Sequence, residues 1–150
     1  LEYVEEHLRI LSGFYGVLRP FDGVTPYRLE MQAKLSVGKA VDLYEFWGAG
    51  IAENILAETG CIVNLASKEY SQCVLRHLPE KTRFIVCIFG QKVDGKIIEK
   101  GTQCKMARGE MVRYMAQYQV QEPEGMKSFD RLGYRFSPED SGEDVYTFIR

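Results

Sequence analysis

Between Arg19 and Glu30 lie Arg19, Asp22, Tyr27, Arg28 and Glu30, which put two guanidinium groups beside two carboxylates and a phenol. Arginine forks match the paired oxygens of phosphate or carboxylate, and neighbouring carboxylates orient them or compete for them. Pro20 and Pro26 bias the residues before them away from helix, so stiff, irregular backbone presents these groups. The competing reading is a rigid loop whose arginines pair with its own Asp22 and Glu30. No histidine, and no serine beside a base, accompanies them in the loop, so no nucleophile or acid–base pair is recognisable and no catalytic residue is assigned.

A second cationic set lies on a segment whose period predicts a helix from Cys104 to Tyr118. At roughly 100° per residue, Ala107, Met111, Tyr114, Met115 and Tyr118 share a core face. Lys105, Gly109, Arg113 and Ala116 lie opposite, with Arg108 at the border. Glycine costs about 1 kcal/mol relative to alanine inside a helix. Gly109 among cations therefore suggests a notch that a phosphate, a carboxylate or another chain segment would enter. A solvated amphipathic helix with a tolerated glycine explains the pattern equally well. Asn64, Ser67 and Tyr70, at a strand-to-helix junction, add donors to such a site or simply cap the helix.

The whole chain does not share this basic character. Its 150 residues carry 19 basic and 21 acidic side chains, a net charge of -2, so any anion site is local rather than global. With 45% hydrophobic residues it reads as one folded domain. Cys61, Cys73, Cys87 and Cys104 show no CxxC spacing, so reduced, buried thiols are expected and no metal site. No GxxxxGK[ST] or GxGxxG pattern is present and no cofactor is assigned. The longest strictly apolar run, Phe84 to Phe89, is far too short to span a membrane and no signal peptide precedes it, which points to the cytoplasm.

The elements that must position these residues follow from periodicity. The first residues read as the end of an amphipathic helix, and His7 to Tyr15 as a buried strand. Asp42 to Thr59 reads as one helix closed by Gly60, and Cys61 to Ala66 as a short strand. A helix capped by Ser67 then runs to Leu78. Thr82 to Phe89 and Lys96 to Thr102 flank Asp94-Gly95, a hairpin signal. After the Cys104 helix, Pro123 starts a shorter one through Phe129, and Tyr134–Phe136 and Val145–Ile149 read as closing strands. The fold class expected is α+β, a mixed sheet with flanking helices.

Several long segments carry a resemblance. They are Leu11 to Pro20, Pro26 to Met31, Leu43 to Gly48, Asn64 to Tyr70, Ala107 to Tyr114 and Gly133 to Phe136. Their order and spacing resemble the YaaA family, the bacterial peroxide-stress-resistance proteins. The resemblance implies a protein that limits damage where peroxide meets intracellular iron, and double-stranded DNA as partner, bound in a basic cleft. Arg19, Arg28, Lys105, Arg108 and Arg113 would line that cleft, supported by Asp22, Tyr27, Glu30, Asn64, Ser67, Tyr70 and Gly109. The alternative is an enzyme acting on a small anionic or nucleobase-like substrate in the same place. The resemblance also implies that residues 1–150 are the C-terminal portion of a single domain preceded by a further segment. Where the enterobacterial pattern of the family has basic residues, this chain has Gly50, Gln72 and Gly90, which weakens the DNA expectation.

Overall fold

The computed structural model describes residues 1–150. The chain forms two compact units. One comprises Glu2–Gly60 and Ala66–Thr82 and is called the N-terminal unit below. The other, the sheet unit, comprises Cys61–Leu65 and Arg83–Arg150 together with Leu1.

The N-terminal unit opens with α1 (Glu2–His7), followed by a hairpin of β1 (Ile10–Ser12) and β2 (Gly16–Leu18). The strand expected over His7 to Tyr15 is thus only three residues long. His7 stays helical because its ring stacks on Tyr3 at 4.1 Å and its Nδ1 bonds the Tyr3 carbonyl at 2.9 Å. The expected helix from Asp42 to Thr59 is two helices, α2 (Leu43–Trp47) and α3 (Gly50–Leu56). Asp42 starts the first by accepting from the Glu45 amide at 2.8 Å, and Gly48 ends it with φ of +50°. The second ends at Ala57, before Gly60. Tyr3, Met31, Leu43, Ile51, Ala52, Ile55, Cys73 and Val74 form the buried apolar set of this unit, whereas Phe46 is exposed.

The sheet unit carries β3 (Cys61–Asn64), and the chain then forms α4 (Lys68–Leu75) in the N-terminal unit before returning as β4 (Arg83–Val93). β4 continues through a turn into β5 (Lys96–Ile98), followed by α5 (Gly101–Gln117), β6 (Arg135–Phe136) and β7 (Val145–Ile149). Short 3-10 turns occupy Pro123–Ser128 and Pro138–Asp140. β3 and β7 pair parallel with β4 on its two sides, while β5 joins β4 and β6 joins β7 antiparallel. The fold is therefore α+β around a mixed five-stranded sheet, as expected. Asp94 and Gly95 have φ of +50° and +76°, the two left-handed residues a tight hairpin turn requires.

Alternation along β4 sends Ile85, Cys87 and Phe89 to one buried face. They pack with Ala107, Met111 and Tyr114 of α5 and with Phe129, Tyr134 and Phe148. Phe89 stacks on Phe148 at 5.1 Å and meets Phe129 and Tyr134 edge-on. At the start of β4, Arg83 donates to Glu124 at 2.9 Å, Asp144 at 3.2 Å and Tyr146 at 3.3 Å, tying β4 to β7.

Two glycines of this unit behave oppositely. A Cβ at Gly90 would lie 2.7 Å from Ile97 and 2.9 Å from the Ile98 carbonyl, so β5 packing excludes a side chain there. Around Gly109 there is open space. We expect Gly90→Ala to lower stability by about 1–3 kcal/mol through overpacking. Gly109→Ala should raise it by up to about 1 kcal/mol. Urea unfolding midpoints of the two variants check the pair.

Candidate functional site

In the N-terminal unit, segments distant in sequence meet around Ser12. A Cβ at Gly13 would lie 2.8 Å from the Leu29 carbonyl oxygen, and one at Gly16 would lie 2.9 Å from the Trp47 ring. Gly16 also has φ of +78°. Trp47 Nε1 donates to the Gly13 carbonyl at 3.1 Å. These close approaches bring the β1–β2 turn onto residues 26–31 and onto the last turn of α2. Buried Ser12 then accepts the Phe14 and Tyr15 amides at 3.2 and 3.0 Å and bonds the Tyr27 hydroxyl. Tyr15 Oη accepts the Thr25 amide at 2.9 Å. Tyr70 lies close to Tyr27 and Glu30. Burial above all pushes its phenol upward, Glu69 adds to the rise, and a hydrogen bond to the Met31 backbone opposes it. Tyr27, Glu30 and Tyr70 are thus brought together around Ser12 and Met31.

The loop arginines are not paired as the rigid-loop reading expected. Asp22 accepts the Arg19 backbone amide at 2.7 Å and so closes the turn, while the Arg19 guanidinium reaches Glu58 at 2.5 Å. Arg9 donates to the same carboxylate at 3.0 and 2.5 Å. Held chiefly by Arg9, and by Arg19, Glu58 has a carboxyl below the usual carboxylate range. Arg28 is exposed and makes no ion pair. Ser67 is the N-cap of α4 by position, yet its side chain makes no capping bond, contrary to expectation. α4 ends at Leu75 rather than Leu78.

In the sheet unit the cations lie on α5. Ala107, Met111 and Tyr114 are buried, and Lys105, Gly109 and Arg113 are exposed, as the helical angles predict. Arg108 is half-buried at the border. Tyr118, expected on the core face, is 58% exposed because the helix ends at Gln117 and Gln119 turns left-handed with φ of +51°. Arg113 has one loose partner, Glu110 at 3.9 Å, and Lys105 and Arg108 have none. The helix starts at Lys100, which offers no side-chain cap, and its first turn holds no acidic residue. The Glu99 carboxylate, just before the helix, lies 3.8 Å from Cys104 Sγ and accepts the Phe89 amide at 3.1 Å, so it faces the first turn of α5. Asn64 ends β3 in this unit and is half-buried.

Ser12, Trp47 and Glu58 escaped identification as site residues. Ser12 and Trp47 lie within segments that carry the family resemblance, but their partners are distant in sequence. Glu58 bears no local signal that it would be shared by Arg9 and Arg19.

None of the four cysteines is in a disulfide; Cys73, Cys87 and Cys104 are buried and Cys61 is half-buried. Burial pushes the Cys87 thiol up to about 12, opposed by Arg108. Burial is also the main cause of the upward shifts of Cys61, Cys73 and Cys104. Thiolate is the species that reacts with peroxide, so these sulfurs are poor direct sensors.

Two outcomes test this geometry. Ser12→Ala leaves the Phe14 and Tyr15 amides without their acceptor and should cost about 1–3 kcal/mol in urea unfolding. A thiol reagent under native conditions at neutral pH should modify few of the four cysteines, and all four after unfolding.

Comparison with known proteins matches residues 1–140 to the family described as peroxide stress protein YaaA. A UPF0246 protein of Lachnoclostridium phytofermentans is 52% identical over 150 residues, covering all of this chain and 59% of the relative. UPF0246 proteins of Agathobacter rectalis and Pediococcus pentosaceus are also 52% identical, over 99% and 100% of this chain and 60% of each relative. The chain thus spans about 60% of the length of these curated relatives. With nearly all of its residues covered by the family model, the chain belongs to the YaaA family of peroxide stress proteins.

Proposed function

We propose that this chain serves the peroxide-stress role of its family by binding double-stranded DNA through phosphate contacts, limiting iron-linked oxidative damage to it. Lys105, Arg108 and Arg113 of the sheet unit, with Arg19 and Arg28 of the N-terminal unit, are the contacts. The observation that carries the reading is the face of α5. In a chain of net charge -2, this helix presents three cations with a single loose carboxylate partner among them, around a glycine with open space beside it. Arg28 is ready for a phosphate, whereas Arg19 must exchange its Glu58 partner to bind one.

The alternative, an enzyme acting on a small anionic or nucleobase-like substrate, draws on the hydroxyl cluster of Ser12, Tyr27 and Tyr70 beside Glu30. One experiment separates the two. Fluorescence anisotropy of a labelled duplex with the full-length protein across a salt series should give a log–log slope of about -0.9 per phosphate neutralised. Replacing Arg108 and Arg113 together by alanine should flatten it by up to about two contacts. Absence of binding at low salt would overturn the DNA reading in favour of the small-substrate one.

A further inference from the structure

We propose that the exposed ring pair of Phe14 and Tyr27 is a stacking platform for an unpaired base of single-stranded DNA. This rests on the DNA-binding reading and adds to it a second form of nucleic acid, taken at the exposed rings of the N-terminal unit.

The rings are both open and held. Phe14 is 56% and Tyr27 43% exposed, with centroids 5.3 Å apart and planes tilted by 31°. Tyr15 braces both edge-on, at 4.9 Å from Phe14 and 5.6 Å from Tyr27. Its hydroxyl is itself anchored on the Thr25 amide. A platform immobilised before binding loses little entropy when a planar ligand settles on it.

Hydrogen bookkeeping gives the platform a polar edge. The two lone pairs of Ser12 Oγ are taken by the Phe14 and Tyr15 amides, so its own hydrogen goes to Tyr27 Oη. The Tyr27 hydroxyl hydrogen is then left to donate elsewhere, and the edge of every nucleobase carries acceptors.

Charge selects the base over the backbone. Beside the rings the chain offers one cation, Arg28, with Glu30 two residues on, so no run of cations adjoins the ring pair to hold a run of phosphates. Arg28, next to Tyr27 and without an ion-pair partner, can serve the one phosphate of a stacked nucleotide. In a duplex the base faces are already stacked, whereas a single strand offers them freely.

The test uses the full-length protein and three labelled probes: an oligothymidylate, an abasic strand with the same number of phosphates, and a duplex. Oligothymidylate should bind roughly five- to hundredfold more tightly than the abasic strand, the range for one stacked base. Phe14→Leu and Tyr27→Leu, singly and together, keep apolar volume but remove the ring faces. Each should weaken that preference and the pair should erase it; Phe14→Leu, which spares the Ser12–Tyr27 bond, should leave duplex affinity and the urea midpoint unchanged, whereas Tyr27→Leu loses that bond and should lower the midpoint. Equal affinity for the two strands, or a preference that survives in the double variant, would overturn the proposal while duplex binding stands. If none of the three probes binds, the DNA reading fails with it. A dimer in sedimentation equilibrium that the double variant breaks would assign this face to a second copy and equally overturn the proposal.

Discussion

Close backbone approach at Gly13 and Gly16 is the constraint on which the surface of the N-terminal unit depends. Any Cβ at these positions would lie inside contact distance of the Leu29 carbonyl or the Trp47 ring, and Gly16 is in the left-handed region that side chains avoid. Because both side chains are absent, the β1–β2 turn lies against residues 26–31, and Ser12 can reach Tyr27. The hydroxyl and ring arrangement around Tyr15 and Tyr27 follows from that approach. The long loop after β2 is thereby held to the turn by two hydroxyls, Ser12 on Tyr27 and Tyr15 on the Thr25 amide, while the Trp47 indole N–H holds the turn itself at Gly13.

The sheet unit divides its work differently. Its core is the aromatic set around Phe89, closed at the start of the strands by Arg83 between Glu124 and Asp144. α5 contributes one face to that core and forgoes several devices that would stabilise it as a helix. It lacks a capping side chain, worth about 1 kcal/mol, and an acidic first turn, worth about 0.3–1 kcal/mol. It also keeps a glycine in mid-helix where an alanine would fit. Its exposed side carries Lys105 and Arg113 beside that glycine, with Glu110 at 3.9 Å from Arg113 as the one ion-pair partner, which supports reading that side as open to an anion.

Much of this was legible before the fold was known. The helical angles of α5 separated Ala107, Met111 and Tyr114 from Lys105, Gly109 and Arg113, because burial on one side is a local property of period. Asp94-Gly95 announced the β4–β5 turn through its demand for left-handed backbone. The break at Gly48 was not anticipated, since apolar spacing runs on from Leu43 to Leu56 and hides a glycine able to leave the helical region. The partners of Arg19 were missed for another reason. Its nearest carboxylates in sequence are Asp22 and Glu30, but the pairing that wins is with Glu58, a neighbour created only by folding. The division into two units was equally silent, because the chain passes between them at Gly60, Leu65 and Thr82 without linker-like composition.

The central claim is that the exposed side of α5 meets DNA phosphates. A two-dimensional NMR titration of the full-length protein with a short duplex at low salt tests it most directly. The account predicts that backbone amides from Gly101 to Gly109 and the guanidinium signals of Arg108 and Arg113 move together and return as salt is raised. Shifts confined to other elements, with the α5 signals unmoved at saturating duplex, would contradict it.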